Sequence, residues 1–272
     1  MTNLVFERFD TASAFVDAVS TRPANDFWKN RSRASRETGD SWYGTNTWEE
    51  ASQLARVGYA EVVNRVKTAS KKATSSLFER VETKPTRPCN GYVGGSPNVV
   101  RAMQGLPRDM RFVNRKPKKI QGITLVYERG ATCNVSTDKM IEAGSRLVAL
   151  MKLFERAQIP VRLIVSFASR ECDEIATCEV VVKDFHAPMN LQKIAYYAAH
   201  PSAHRRLKFS WLETTQVCKE NFSGGYGRSV SSSERDCKLM KEHYEKQGAR
   251  WVCINDFDSD DTVIKVWEEI NG

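Results

Sequence analysis

A strand, a long amphipathic helix and a second strand follow one another between residues 120 and 166. The run ITLVYE predicts the first strand, and the helix predicted over 137–158 carries an apolar stripe wide enough to lie on a sheet. Thr137 and Asp138 are suited to cap its start, and Pro160 separates its end from the second strand, VRLIVSF. The sequence therefore predicts a mixed α/β fold, with helices packed on a central sheet around this βαβ-like unit.

The flanking sequence predicts further elements of both kinds. Residues 4–19 predict a strand or short lead followed by a helix, and Thr47 opens a helix through a capping box with Glu50, its apolar stripe reaching Val66. Residues 84–119 are rich in proline and glycine and predict only a turn or two around 99–104. The later predictions are a strand over 175–183, helices over 191–200, 203–212 and 233–247, a strand over 251–254 and a terminal turn or helix ending at Ile270.

The positive charge is concentrated in the first 119 residues. That part contains 21 Lys and Arg against 12 Asp and Glu, whereas residues 120–272 contain 20 against 21. The chain therefore divides into a basic, helical and loop-rich part (1–119) and an α/β part (120–272), which together are expected to form one compact unit. Concentrated cations favour a polyanionic partner, either nucleic acid or an anionic membrane. A basic part that serves only solubility is the alternative.

Several classes of protein are excluded by missing patterns. The start of the chain lacks the charged and apolar regions of a secretory signal, and no apolar run is long enough to cross a bilayer. The seven cysteines are an odd number at scattered spacings, without a C-x-x-C pair, which favours free thiols in a reducing compartment. We therefore expect a cytoplasmic protein without a membrane partner, a metal or a cofactor.

The sequence also lacks the signature of an enzyme. The turn after the first central strand, ERGATCNVSTD, has neither the G-x-G-x-x-G spacing of dinucleotide sites nor the D-x-S-x-S pattern of von Willebrand A-type metal sites. No G-x-S-x-G or H-E-x-x-H motif is present, and the acidic run from Asp256 to Asp261 lacks the glycine and glutamate of a calcium loop. One basic run remains ambiguous: Arg205, Arg206 and Lys208 follow Pro201, where they could either hold a phosphate or serve helix packing.

Basic residues accompanied by aromatic rings give the strongest functional pattern. Cations along the phosphates and rings that stack on unpaired bases together bind single-stranded nucleic acid. The loop around residues 27–43 and the segment 92–119 both combine these residue types, although any single ring is more commonly part of a core. The candidate nucleic-acid-binding residues are Lys29, Arg31, Arg33, Arg36, Trp42, Tyr43, Lys71, Lys72, Arg101, Arg108, Arg111, Phe112, Arg115, Lys116, Lys118 and Lys119.

Three runs, taken together and in this order, resemble a family of uncharacterised bacteriophage proteins. They are WYGTNTWEEASQLARVGY (42–59), RPCNGYVGGSPNVVRAMQGLPRDM (87–110) and NLQKIAYYAAHPSAHRRLKF (190–209). In size and basicity the chain is also similar to the single-stranded-DNA-binding RNA-polymerase cofactors of phages that package a polymerase in the virion. That resemblance implies binding to melted promoters and recruitment of the phage RNA polymerase, in the cytoplasm of the host cell.

We therefore expect a non-enzymatic, single-stranded-DNA-binding protein of a bacterial virus that acts as a transcription cofactor. The alternative is an interaction module without catalytic activity, similar to a degenerate von Willebrand A domain, which docks to a phage ATPase or structural protein. The basic part would then contact an acidic protein instead of phosphates.

Overall fold

The strand-helix-strand unit predicted between residues 120 and 166 is present in the structure, a computed structural model. The structure describes residues 2–37, 39, 41–60, 63–64, 89–93, 95–112, 122–132, 134–218, 222 and 226–271. The strands are β1 (Asn3–Phe9), β2 (Cys89–Gly91), β3 (Ser96–Pro97), β4 (Met110–Phe112), β5 (Ile123–Glu128), β6 (Val161–Glu171), β7 (Glu174–Lys183), β8 (Arg228–Ser229) and β9 (Ala249–Cys253). The α-helices are α1 (Ala12–Thr21), α2 (Trp48–Val57), α3 (Val99–Met103), α4 (Thr137–Arg156), α5 (Leu191–Ala199), α6 (Phe209–Thr214), α7 (Glu234–Lys246) and α8 (Asp260–Asn271).

Six strands form a mixed sheet in the order β1-β7-β6-β5-β9, and β8 pairs with β6. β5 runs parallel to both of its neighbours, β6 and β9, while β6 and β7 form an antiparallel hairpin. Because α4 connects β5 to β6 on one side and β9 lies on the other side, the strand order reverses at β5. The predicted α/β fold with a central sheet is confirmed.

The chain forms two compact units. The larger comprises Met1–Leu77 and Gly122–Gly272, and the smaller comprises Phe78–Gln121. β1 pairs in parallel with β7, so the start of the chain belongs to the same sheet as the α/β part, and the units divide at other positions than 119/120. Within the smaller unit, β2, β4 and β3 form a separate antiparallel sheet of very short strands, beside α3.

Helices pack on both faces of the large sheet. On one face Gly144 of α4 lies so close to Ala199 of α5 that a Cβ at Gly144 would be 2.6 Å from the Ala199 Cβ. On the other face Met240 and Tyr244 of α7 are buried in a cluster that includes Val126 of β5. The large sheet therefore lies between two helical layers.

Two predicted helices differ at their ends from the sequence-based expectation. The start of α4 is capped by Ser136, whose hydroxyl accepts a hydrogen bond from the Lys139 N–H at 3.3 Å, and not by Thr137 or Asp138. α2 begins at the predicted cap but ends at Val57, since Gly58 adopts a φ of 95°. The stripe predicted up to Val66 therefore does not form one continuous helix, and residues 65–66 lie outside the described part.

The helix predicted over 203–212 is a π-helix, Ala203–Lys208, that continues into α6. The wider turn of a π-helix inserts an extra residue per turn, which a search for a period of 3.6 does not reveal. This segment lies beside the carboxyl end of β5.

Candidate nucleic-acid interface

Part of the predicted basic loop is internal to the larger unit. The Arg33 Nε lies 2.8 Å from an oxygen of Glu213, a carboxylate with no exposed surface. Ser35 and the Tyr226 hydroxyl also donate to Glu213. Since this carboxylate neutralises its charge, Arg33 is less suited to bind a phosphate than the sequence indicated.

The two predicted rings of this loop pack against arginines of the same chain. The Arg205 guanidinium lies 4.3 Å from the centre of the Trp42 ring, and Arg206 lies 4.5 Å from that of Tyr43. Tyr43 is buried and its hydroxyl donates to Glu37 at 3.1 Å, whereas Trp42 stays partly exposed. Only Trp42 therefore keeps surface for an external partner.

The remaining predicted cations of this loop fall into two groups. Arg36 is partly buried, covers the Trp48 ring at 4.0 Å and donates to a backbone carbonyl, and burial lowers its pKa. Lys29 and Arg31 are exposed, and neither forms an ion pair with a carboxylate in the described part of the chain. The Arg31 guanidinium lies 3.8 Å from the centre of the partly buried Phe27 ring, which gives this turn one cation-ring pair with an exposed cation.

The smaller unit presents a more open arrangement. Arg108 and Arg111 are exposed, and no described carboxylate forms an ion pair with either. Arg101 is partly buried and donates to the Pro107 carbonyl at 2.9 Å, which places it beside Arg108. Phe112 is the last residue of β4. The predicted residues that lie outside the described part of the chain are Lys71, Lys72, Arg115, Lys116, Lys118 and Lys119.

Tyr92 is the ring that accompanies these arginines. Its side chain is 71% exposed, and the Arg108 guanidinium lies 5.7 Å from the ring centre. An exposed tyrosine beside cations without carboxylate partners can stack on an unpaired base while the cations contact phosphates. The region from 89 to 112 also exposes aliphatic side chains, among them Val93 and Met103.

A buried charge cluster at the carboxyl end of β5 was not predicted as a site. The Glu128 carboxylate accepts hydrogen bonds from Ser166 Oγ (2.6 Å) and from the backbone N–H groups of Gly130 (2.7 Å) and Ala168 (3.0 Å). Burial raises its pKa. Burial also lowers the pKa of Lys208, to about 8, although the charge of Glu128 acts in the opposite direction.

Two further groups complete this cluster, hereafter the β5 cluster (Glu128, Arg129, His204 and Lys208). Arg129 is fully buried, and only its Nη2 finds a described partner, the Ala199 carbonyl at 3.3 Å. His204 is also buried and its Nδ1 has no partner in the described part of the chain. Burial, Lys208 and Arg129 hold the pKa of His204 well below its ordinary value, so the imidazole is neutral at neutral pH.

The basic run after Pro201 is divided between packing and this cluster. Arg206 donates all five of its N–H groups to the segment between residues 35 and 46, namely to Thr45 Oγ1 and the carbonyls of Ser35, Glu37, Thr45 and Asn46. Arg206 therefore serves packing, which is one of the two roles that the sequence left open for this run. Lys208 belongs to the β5 cluster. This basic run was the one sequence pattern that indicated a member of the cluster.

Neither a metal centre nor a membrane span is found in the part of the chain that the structure describes. No three His, Cys, Asp or Glu side chains there are grouped so that they could hold a metal ion. None of the helices there combines the length and the apolar composition needed to cross a bilayer.

The acidic run from Asp256 to Asp261 contacts other parts of the chain. Asp260 forms an ion pair with Arg146 at 3.2 Å, and Asp256 accepts a hydrogen bond from the Cys253 N–H.

Comparison with known proteins gives one match. The model of a family described as a domain of unknown function, DUF7192, matches residues 2–270. Neither the curated proteins nor the solved structures contain a match. Because the family model covers nearly the whole chain, the protein belongs to the DUF7192 family.

Proposed function

We propose that this protein binds single-stranded DNA through phosphate contacts and base stacking, without strong sequence preference. The observation that carries the proposal is the surface of residues 89–112, which contains three arginines and a single carboxylate, Asp109. Its exposed arginines form no ion pair with any described carboxylate, and the exposed Tyr92 lies beside Arg108. Lys29 and Arg31 supply two further exposed cations, beside the partly buried ring of Phe27.

The same chemistry favours unpaired over paired DNA. A duplex offers phosphates to the arginines, but its stacked bases are not available to Tyr92. Each base stacked on an aromatic side chain contributes about 1 to 3 kcal/mol. The resemblance to phage polymerase cofactors extends the proposal to transcription: the protein would hold the melted strand of a promoter and recruit a phage RNA polymerase.

Fluorescence anisotropy with single-stranded and duplex oligonucleotides across a salt series tests the proposal. In single strands, each neutralised phosphate contributes about −0.7 to the slope of log K against log salt concentration. Replacing Arg108 and Arg111 by alanine should therefore reduce that slope in magnitude by about 1.4 and weaken binding. Tyr92→Leu should weaken binding to the single strand at an unchanged slope, since it removes stacking without removing a charge.

A double variant of equal charge change provides the control. Arg235 and Lys246 are exposed on α7, and their replacement by alanine should leave the affinity within twofold of wild type. The proposal is wrong if this control weakens binding as much as the double variant of Arg108 and Arg111. Equal binding of duplex and single strand by the wild-type protein would remove the role of Tyr92.

The exposed aliphatic side chains of the smaller unit favour a second candidate, the interaction module. Val99, Val100 and Met103 of α3 are each more than half exposed, and such apolar surface is typical of protein-binding sites. A phage ATPase or structural protein would be the partner. Affinity purification from infected cells after nuclease treatment should then recover that protein with the wild type and not with a Val100→Glu, Met103→Glu variant.

A further inference from the structure

A cavity of about 660 Å³ lies in the larger unit at the carboxyl end of β5. Its size falls within the range of small-molecule sites. Open α/β sheets bind ligands at the carboxyl ends of their strands, at the point where the strand order reverses, and in this sheet that point is β5. The position in the fold therefore marks the cavity as a ligand site, whatever the smaller unit binds.

The residues that line the cavity favour an anion. Arg205, Lys208 and Arg228 contribute positive charge, and no Asp or Glu is among the described residues of the lining. Arg228 is exposed and forms no ion pair with a described carboxylate. Glu213 lies behind the wall, where Arg33 already neutralises it.

Lys208 supplies an independent observation. It lines the cavity with only 2% of its surface exposed, and its ammonium group donates no hydrogen bond to any described residue. A buried ammonium without a partner is costly, and the nearby carboxylate of Glu128 is already hydrogen-bonded to Ser166, Gly130 and Ala168. An anion in the cavity would give Lys208 the partner that the protein does not.

The charge balance of the β5 cluster leads to the same conclusion. Lys208 and Arg129 are two buried cations, whereas Glu128 is the one carboxylate of the cluster. With Glu128 ionised the cluster has an excess of one positive charge, and with Glu128 protonated the excess is two. In either state a bound anion offsets the excess, because an unpaired buried charge is unfavourable.

Aromatic rings form another wall of the cavity. Phe209 and Tyr226 stack with ring centres 4.0 Å apart and planes within 7°, and Trp28 stacks on the far side of Tyr226 at 4.9 Å. Trp42 also lines the cavity, with its ring centre 6.1 Å from that of Phe209. This wall is apolar and held rigid by stacking, so it suits the flat ring of a ligand.

We propose that this cavity binds a phosphate monoester carried on a ring-bearing body, the chemistry of a nucleoside monophosphate. Lys208 and Arg228 bind the phosphate, and the wall of Trp42, Phe209 and Tyr226 contacts the base. A free nucleotide and the phosphorylated 5′ end of a DNA strand share this chemistry.

Isothermal titration calorimetry of the full chain with AMP, adenosine and inorganic phosphate tests the site. AMP should bind at least tenfold more tightly than adenosine or phosphate, because only AMP engages both the cations and the rings. Lys208→Met should weaken AMP binding by tenfold or more, and the exposed Lys139→Met should leave it unchanged. Arg228→Gln, at an exposed position that cannot disturb the core, should also weaken AMP binding.

Oligonucleotides with a 5′-phosphate or a 5′-hydroxyl distinguish the two sources of the ligand. A preference for the 5′-phosphate that Arg228→Gln abolishes identifies a strand end, whereas AMP binding without that preference identifies a free nucleotide. The proposal is overturned if AMP shows no saturable binding, if adenosine binds as tightly as AMP, or if Arg228→Gln binds AMP like the wild type. Loss of strand binding in the variant of Arg108 and Arg111, with AMP binding retained, would separate this site from the proposed interface.

Discussion

At the scale of single residues, the sequence indicated which positions are basic but not which cations the fold uses internally. Arg31 and Arg33 lie two positions apart in the same loop, yet Arg31 is exposed and Arg33 is paired with the buried Glu213. The partner lies 180 positions away in the sequence, where no local pattern can reveal it. The acidic partner therefore decides the role of the cation, and only the tertiary structure identifies that partner.

Lys208 should impose a measurable pH dependence on the stability of the protein. Burial lowers its pKa to about 8 in the folded state, below the ordinary value of 10.5, so between these values the unfolded chain binds more protons and the free energy of unfolding rises with pH. Chemical denaturation at pH 7 and pH 9.5 should show that wild type gains stability relative to Lys208→Met, by at most about 1.4 kcal/mol per pH unit. A constant difference between the two proteins would contradict the lowered pKa.

Arg206 should be intolerant of its nearest chemical substitute. All five N–H groups of the guanidinium are used, whereas a lysine has three donors on a single nitrogen and would leave several carbonyls unpaired. Arg206→Lys should therefore lower the free energy of unfolding by about 2 to 4 kcal/mol, as measured in urea. Arg235→Lys on the exposed face of α7 is the control, with an expected change of less than about 0.5 kcal/mol.

At the scale of elements, the sequence predicted the helices that lie on the sheet, but for residues 203–208 it predicted an α-helix where the structure has a π-helix. α4 and α7 have a clear apolar face and were predicted within two residues of their observed ends. The π-helix before α6 carries Lys208 at its last turn, and its wider winding leaves no period to detect. Sequence reasoning therefore predicted a helix at this part of the cavity wall but not its π-helical winding.

The end of α2 gives a prediction at this scale. Gly58 combines a φ of 95° with a close approach, since a Cβ there would be 2.5 Å from the Gln192 Cβ. Gly248, in the turn before β9, has a φ of 72° and nothing within 4 Å of such a Cβ. Gly248→Ala should therefore lower the free energy of unfolding by about 1 kcal/mol, through backbone strain alone. Gly58→Ala should lower it by at least about 2 kcal/mol more, as measured by urea denaturation. Equal losses of stability in the two variants would contradict this prediction and would mean that α5 moves away from Gly58 freely.

At the scale of the whole molecule, the α/β class could be predicted from the sequence, but the assignment of segments to compact units could not. The charge count divided the chain at residue 119, whereas β1 joins the large sheet through pairing with β7. Composition reports how many charges a segment carries, and pairing between distant strands decides where the segment lies. The strand order that places the cavity beside β5 depends on the same long-range pairing.

The division into two compact units predicts that the two proposed sites can be separated. The six-stranded sheet and the β5 cluster belong to the larger unit, while Tyr92, Arg108 and Arg111 belong to the smaller. Replacing residues 89–112 by a glycine-serine linker of equal length keeps the loop length, and hence the entropy of closing the loop, nearly unchanged. The thermal unfolding transition and the affinity for AMP should then persist, and the salt-dependent binding of single-stranded DNA should fall at least tenfold. Loss of AMP binding in a variant that still unfolds cooperatively would show that the cavity depends on the smaller unit, and unchanged DNA binding would place the interface at Lys29 and Arg31 instead.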